Sequence, residues 1–441
     1  MHWKLTAALV CFYGVVKEFR PATPFLTPFL ESDYKNLTNE QLYSEVFPIW
    51  TYSYLIFLIP VFFLTDTLRY KPVVILEALS LVGTWSLLVW GSGVNQMKLM
   101  QVFFGLASSA EIAYYSYMYA VVDKKHYRKI TSYTRTANLI GKFFAFGMAQ
   151  TLVSMTGSSS YLLLNQISLG AVSMVLLVAM VLPPISKQML QPDVVDSEVE
   201  LQRESQPITS PQDGEEVQKK KVDQSYWAGM KEKALIFKNN KTVLSWSLWW
   251  ALASCGIYQM ANYAQTLWAE LQTEGQFVGN GVVECINTLL GAIVTFYLQY
   301  FKLEYKNYGA AIFFFSSVII GTFLIAMTFL RSIIAVYVLY IIVDGVYHVL
   351  IAAASNIIAS QLSSASYSFI FGCNTFCALI FQSILTFAVA DARGFALDIR
   401  TQFRVYGAYF YAIAVLFAIP TVYSRLRRQP QPSQPETSAT E

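Results

Sequence analysis

Apolar stretches of roughly 20 residues, the length a helix needs to cross the hydrocarbon core of a bilayer, recur along almost the whole chain. They predict about twelve spans, near residues 5–30, 47–64, 73–90, 99–122, 131–153, 161–182, 243–268, 277–300, 308–330, 333–357, 367–390 and 403–422. One segment breaks the pattern. Residues 187–241 carry QPDVVDSEVELQRESQPITSPQDGEEVQKKKVDQ, which is polar, proline-containing and charged, and too poor in apolar surface to order itself fully. The expected organisation is therefore an N-terminal six-helix half (1–186), a cytoplasmic, largely disordered loop (187–241), a C-terminal six-helix half (242–424) and a cytoplasmic tail (425–441). The first span is interrupted by Lys17-Glu18-Phe19-Arg20-Pro21, Pro24 and Pro28. That spelling predicts a distorted first helix, and broken helices at membrane depth are tolerated where they line a cavity. The opening MHWKLTAALVCFYGVV resembles a signal peptide, but no small-residue cleavage site follows it.

Composition agrees with the pattern: of 441 residues, 55% are hydrophobic, 13% charged and 15% aromatic, far from a soluble globular balance. Lys and Arg favour cytoplasmic loops. The runs at 66–71, 123–129, 219–221, 301–306 and 425–428 fall on one side, which sets that side, with both termini, in the cytosol. The opposite loops at 91–96, 156–160 and 269–276 hold no positive charge, with Arg331, Arg393 and Arg400 as outer-side exceptions. Asn36-Leu37-Thr38 lies on the outer side and is a candidate glycan acceptor, whereas Asn240-Lys241-Thr242 on the cytoplasmic side reads as a chance match. Five cysteines, all within apolar segments, read as buried thiols rather than a disulfide set.

The chemistry-bearing candidates are acids inside apolar runs. In LMQVFFGLASSAEIAYYSYMYAVV (99–122) the only ionised side chain is Glu111. A charge at bilayer depth costs about 3 kcal/mol on insertion scales, so it is retained to meet a partner, a proton or a substrate. Helical spacing puts Phe104, Ser108, Tyr114 and Tyr115 near it, an anionic centre ringed by aromatics that suits an organic cation. Glu284 is the counterpart in the second half, and a ligand held between halves would meet both acids. A structural hydrogen bond, or pairing with Lys17 or Arg20, is the blander account. Asp344 is another intramembrane acid. His348, four residues on, shares its helix face and could pair with it or relay protons. Gln382 is a neutral polar group in the eleventh span. The aromatic runs around Phe47, Trp50, Tyr52 and Tyr54, and around Trp246, Trp249 and Trp250, suit either interfacial packing or stacking on a ligand. Asn262, an amide inside an apolar helix, needs a partner on a neighbouring helix or a ligand. No enzyme is expected: His2, His126 and His348 are the only histidines, and the chain has no H-E-x-x-H, no G-x-S-x-G and no acids at metal-ligand spacing. A G-x-x-x-x-G-K-[ST] loop is also absent, so no built-in ATPase is read; no cofactor, metal or nucleic-acid partner is implied.

A set of ordered motifs spans nearly the whole chain: Arg20-Pro21 with Pro24-Phe25-Leu26-x-Pro28, Phe47-Pro48-x-Trp50-Thr51-Tyr52, Leu64-Thr65-Asp66-x-x-Arg69-Tyr70-Lys71-Pro72, Ala110-Glu111-x-Ala113-Tyr114-Tyr115, Trp246-Ser247-Leu248-Trp249-Trp250, Asn280-Gly281-x-Val283-Glu284 and Phe371-Gly372-x-Asn374. On these the chain closely resembles the family of the reduced folate carrier and the thiamine transporters, a branch of the major facilitator superfamily. The resemblance implies an all-α membrane fold of twelve helices in two halves, and import of a small-molecule vitamin across the plasma membrane by alternating access. Asp66 and Arg69 match the superfamily's cytoplasmic gating loop. The folate carrier has basic residues where Glu111, Asp344 and Gln382 stand, whereas thiamine transporters have acids matching Glu111 and Glu284, aromatics matching Phe47 and Trp50, and an amide matching Asn262. Thiamine, or a related cationic vitamin, is therefore the expected substrate. Glu111, Glu284 and Asn262 would give polar recognition, Phe47, Trp50 and Tyr115 stacking, and Gln101 with Phe104 tuning. Gln101 and Phe104 depart from the Glu and Tyr of thiamine transporters, and Thr23 from an acid near the mouth. Pyridoxine, folate, or a transport-inactive receptor with the same pocket stays open, as does the energy source: proton, anion exchange or facilitated transport.

Overall fold

The computed structural model describes residues 3–68, 70–120, 127–183, 240–272, 278–298, 309–360 and 364–427. Arg69, almost all of the 187–241 segment, and the basic clusters at 219–221 and 301–306 lie outside the described residues, as does the side chain of Asp66. The described residues are nearly all helical and contain no strand. Among the described residues twelve long helices follow one another: α1 (Trp3–Glu18), α2 (Phe47–Thr67), α3 (Lys71–Trp90), α4 (Gly93–Ala120), α5 (Tyr127–Thr156), α6 (Tyr161–Val181), α7 (Lys241–Leu271), α8 (Asn280–Leu298), α9 (Gly309–Phe329), α10 (Ile333–Ser360), α11 (Ser364–Val389) and α12 (Ile399–Arg427). Most boundaries fall within a few residues of the hydropathy reading, though α4 starts six residues earlier, at Gly93, which itself has a positive φ. Asn240, part of the chance sequon, caps α7, its Oδ1 accepting from the N–H groups of Thr242 and Val243.

Seven helical stretches are long and apolar enough to cross a membrane on composition alone, and α1, α4, α7 and α8 are not among them. The first is only 16 residues long and the apolar part of α8, Asn280–Ile293, is also short; the four carry Lys17, Glu111, Asn262 with Gln265, and Glu284. Bulky apolar side chains such as Ile56, Leu79, Phe144, Leu177, Phe315 and Ile384 instead point outward, as a lipid-facing surface requires.

The first six helices pack on one another through α3–α4, α2–α4, α3–α6 and α1–α5, and the last six through α9–α12, α7–α11, α8–α10 and α7–α10. Across the two sets, α2 meets α11 and α5 meets α8. Close helix approach is purchased with small residues. A Cβ on Gly141 of α5 would collide with the Val15 carbonyl of α1; between α9 and α12, Cβ atoms on Gly321 and Gly407 would meet each other's carbonyls at 2.8 and 2.9 Å. The tryptophans of α7 are packing groups: Trp249 stacks on Phe313 at 5.3 Å, and Trp246 meets the same ring edge-on at 4.5 Å.

The expected distortion of the first helix is a full break. Pro21 and Pro24 have no N–H to continue the ladder, so α1 stops at Glu18 and the chain passes through a tight turn at Thr23–Phe25 into a short helix, Leu26–Glu31. The backbone groups freed by the break are taken up by other helices. Ser168 of α6 accepts from the Ala22 N–H at 3.1 Å. From α7, Gln265 accepts from the Thr27 N–H at 3.2 Å and donates to the Thr23 carbonyl at 2.9 Å, while Asn280 of α8 donates to the Pro24 carbonyl at 3.1 Å.

Candidate functional site

The break in α1 opens a cavity of about 260 Å³ where α1 and α5 face α8 and α10. The first set of helices contributes Glu18, Arg20 and Lys142 to its lining, and the second contributes Glu284, Asn287, Asp344 and His348. Arg20 Nη2 lies 2.8 Å from Glu18 Oε2, with Lys142 Nζ 3.7 Å from the same oxygen. Across the cavity, His348 Nδ1 is 3.3 Å from Asp344 Oδ2. The Glu284 carboxylate accepts from the Tyr340 hydroxyl at 3.4 Å and makes no ion pair among the described residues. Both amide atoms of Asn287 are buried without a hydrogen-bond partner, although a buried polar group left unpaired costs free energy. The cavity thus has a cationic wall, an acidic wall and an amide whose hydrogen bonds are unfilled.

The other sequence candidates are distributed around this cavity. Glu111 is not an isolated anionic centre: Lys17 Nζ sits 2.7 Å from its Oε1 and 3.2 Å from Glu77 Oε1. Tyr115 is beside it, its hydroxyl 3.4 Å from Glu111, but Tyr114 turns the other way to donate to the Val10 carbonyl. The charge argument drawn from Glu111 is corrected accordingly, because an ammonium already neutralises it. Trp50 and Phe104 stack at 6.1 Å, Trp85 meets Phe104 edge-on, and the Arg20 guanidinium lies 5.5 Å over Trp85, so this aromatic group adjoins the cationic wall. Trp50 is fixed by a hydrogen bond from its Nε1 to Ser108 Oγ at 3.1 Å. Phe47 packs on Tyr263 instead, Gln101 is buried, and the Asn262 amide nitrogen is buried without a partner. Gln382 is fully buried. Of the five cysteines only Cys255 is buried; Cys377 is exposed, and all five are free thiols.

Sequence reasoning missed Glu77, Lys142 and Asn287. Glu77 stands in VVILEALSL, an acid in an apolar run like the one that singled out Glu111, and the same criterion finds it. Lys142 is an analogous cation inside α5.

One end of the bundle, the end that carries Asn36, is bridged between the two sets of helices. Tyr52 of α2 donates to Asp391 Oδ2 at 2.8 Å, the Ala392 N–H donates to the Ser44 carbonyl, and Asn39 donates to the Thr266 carbonyl. Gln150 of α5 donates to the Val278 carbonyl and accepts from the Val282 N–H. Arg393 forks onto Asp391 at 3.1 and 2.9 Å, and Arg400 pairs with Glu270, so two of the cations at this end are tied to acids. Burial alone would raise the Asp391 carboxyl; hydrogen bonds from Arg393 and Tyr52 outweigh it and hold the group below the usual carboxylate value.

Residues 1–405 match the family described as the reduced folate carrier. The chain belongs to the reduced folate carrier family. Among its relatives, "Folate transporter 1" of Caenorhabditis elegans is 49% identical over 418 residues, covering 95% of this chain and 92% of the worm protein. "Thiamine transporter 1" of Mus musculus is 38% identical over 474 residues, covering 99% and 94%. Among solved structures, a POT family transporter superposes with a TM-score of 0.66 at 14% identity, covering 97% of this chain and 99% of that one. The xylose transporter XylE of E. coli, in an inward-open conformation, gives 0.62 at 10% identity, covering 95% and 96%. The fold of this reduced folate carrier family member is thus the all-α architecture of major facilitator transporters, and family and fold are those of membrane transporters.

Proposed function

We propose that this chain is a vitamin importer working by alternating access, and that a folate is the substrate its cavity suits best. The observation that carries the reading is the mixed charge of the cavity: Arg20 and Lys142 on one wall, and Glu284 beside the unpartnered Asn287 on the other. A folate has the matching chemistry. The amino-pyrimidinone edge of its pterin presents adjacent N–H donors to a carboxylate and an amide, and the carboxylates of its glutamyl tail suit a guanidinium and an ammonium. The Trp50–Phe104 stack adjoining Arg20 offers flat faces for a conjugated ring. The sequence argument against folate rested on Glu111, Asp344 and Gln382. Glu111 is paired with Lys17, so the repulsion expected from it is cancelled, and Asp344 has the His348 imidazole 3.3 Å away. The 49% identity to a folate transporter, against 38% to a thiamine transporter, supports the same choice.

Thiamine is the second reading, favoured by the Glu284 carboxylate, which has no cation paired to it among the described residues. Labelled folate and labelled thiamine, offered side by side to transport-deficient cells expressing the chain, Lys142→Gln or Glu284→Gln, separate the two. Folate uptake is expected to be saturable, with Lys142→Gln raising its KM about fivefold. That figure is ~1 kcal/mol, reduced from the ~1.5–3 of a charge-assisted hydrogen bond because Lys142 is partly exposed. Thiamine uptake exceeding folate uptake, lost in Glu284→Gln and indifferent to Lys142→Gln, would establish the second reading. Uptake of neither would point to a receptor. The same proposal places the protein in the plasma membrane with both termini cytoplasmic and a glycan on Asn36, which is exposed at the bridged end.

A further inference from the structure

Along α8, Glu284 and Asn287 follow Asn280 at spacings of four and seven residues, which puts all three in one stripe on one face of the helix. Glu284 and Asn287 line the cavity; Asn280, a turn nearer the bridged end, does not. It is fully buried, and its amide is held from both sides. Oδ1 accepts from the Tyr337 hydroxyl of α10 at 2.6 Å and from Gln272 Nε2 at 3.2 Å, which fixes the acceptor within the second set of helices. Nδ2 donates across to the first set, to the Pro24 carbonyl at 3.1 Å. That carbonyl needs a donor from elsewhere, because Pro28, four residues on, has no N–H to give it and the Thr27 N–H goes to Gln265.

The start of α8 is fastened to the first set at a second point. Gln150 of α5 accepts from the Val282 N–H and donates to the Val278 carbonyl, and a Cβ on Gly281 would meet the Gln150 side chain at 2.9 Å. Within its own set α8 packs on α10; across the interface it packs on α5 and on the Thr23–Phe25 turn. One short stretch of helix therefore carries both the side chains that face the ligand and bonds that shut the bridged end.

The two functions share their geometry. Glu284 and Asn287 are ~6 and ~10 Å from Asn280 along the helix axis. On the opposite wall, Arg20 is four residues before Pro24. A ligand held between Arg20 and Asn287 thus joins the same two segments, the broken first helix and α8, that the Asn280–Pro24 bond joins. The arrangement that grips the ligand is the arrangement in which the bond forms, so each favours the other. We propose that Asn280 is a positioning residue for transport, the latch by which a ligand bound to α8 closes the bridged end over itself. The latch touches no ligand atom. It acts by raising the population of the state whose two walls are close enough to be spanned.

The inference rests on the alternating-access reading and not on which vitamin is carried. Its test uses the purified full chain in lipid nanodiscs, with nitroxide labels on Ser158→Cys and Arg331→Cys in a background without the native cysteines. Both positions are exposed at the bridged end, one in each set of helices, and neither lines the cavity. The distribution of label-to-label distances gives the closed-to-open ratio. Asn280→Ala is expected to lower that ratio about fivefold, the factor for one net hydrogen bond, both alone and with saturating folate or thiamine. Tyr337→Phe loosens the acceptor side but leaves the donor to Pro24, and should stay within about twofold of wild type, which a general loss of packing would not. Where Asn280→Ala does not fold, Asn280→Ser, too short to reach the Pro24 carbonyl, is read in its place. In wild type, whichever vitamin cells expressing the chain take up is expected to raise the ratio. An unchanged ratio in the Asn280 variants, an equal fall in Tyr337→Phe, or a transported vitamin that lowers the wild-type ratio or leaves it unmoved would overturn the latch and leave the transport reading standing. A ratio moved by neither vitamin, together with uptake of neither, removes both.

Discussion

Replacing Gln265 by Ala removes two hydrogen bonds that cross from α7 to the broken first helix, to the Thr27 N–H at 3.2 Å and the Thr23 carbonyl at 2.9 Å. The Thr27 N–H is a backbone group that the break leaves outside a helix ladder, so it regains no intrahelical bond when the amide is gone, whereas the Thr23 carbonyl keeps the bond it accepts from the Leu26 N–H. A net hydrogen bond is worth about 1 kcal/mol, and the bond to Thr23 is exposed enough for water to substitute in part. The loss is therefore ~1–2 kcal/mol, felt wholly by the arrangement in which the bridged end is closed. If the open arrangement lacks these bonds, the closed-to-open ratio falls about 5- to 30-fold, at 1.4 kcal/mol per factor of ten. Reaction of a cysteine placed near the Thr23 turn, in a background without Cys377, with a membrane-impermeant thiol reagent added outside reads that ratio. Gln265→Ala should raise the labelling rate by this factor, and Gln265→Glu, which keeps the acceptor and loses the donor, by less. A labelling rate equal to wild type in Gln265→Ala would refute the claim that this clasp holds the outer end shut.

Three further outcomes are expected. Gly141→Leu drives a side chain into the Val15 carbonyl and should destabilise the α1–α5 contact by about 1–3 kcal/mol, seen as a lower melting temperature in detergent and reduced uptake. The Asp391 carboxyl is held below its ordinary value in the folded protein, so the stabilisation from its Arg393 and Tyr52 bonds is fully present above the unfolded value and is lost only as pH falls through the depressed one. Labelling of that end should therefore be flat across neutral and mildly acidic pH; a rise near neutrality would show that another group titrates. Asn36→Gln should remove an endoglycosidase-sensitive mobility shift, and an unshifted wild-type band would exclude the glycan.

What hydropathy could and could not disclose follows from the reach of each signal. Span positions, and the break after Glu18, are local properties of apolar runs and prolines, and they were legible because a bilayer and a missing N–H act on each segment by itself. Partners are not local. Helical spacing relates Glu111 to Tyr115 four residues away but does not choose among counter-charges on other helices; pairing with Lys17, 94 positions earlier, was one of the accounts the sequence left open, and it turns an expected cation-binding centre into an ion pair. The same blindness hid Glu77, because an acid is conspicuous only when its neighbours are watched one span at a time, and hid the clasp on the broken helix, which joins residues 238 and 242 positions apart. Isolated intramembrane charge in a sequence is therefore better read as a search for a counter-charge on another helix than as the sign of the ligand. In this chain the search resolves into two systems that meet at Glu18: a mixed-charge cavity facing the ligand, and a cluster of two acids and one ammonium behind it.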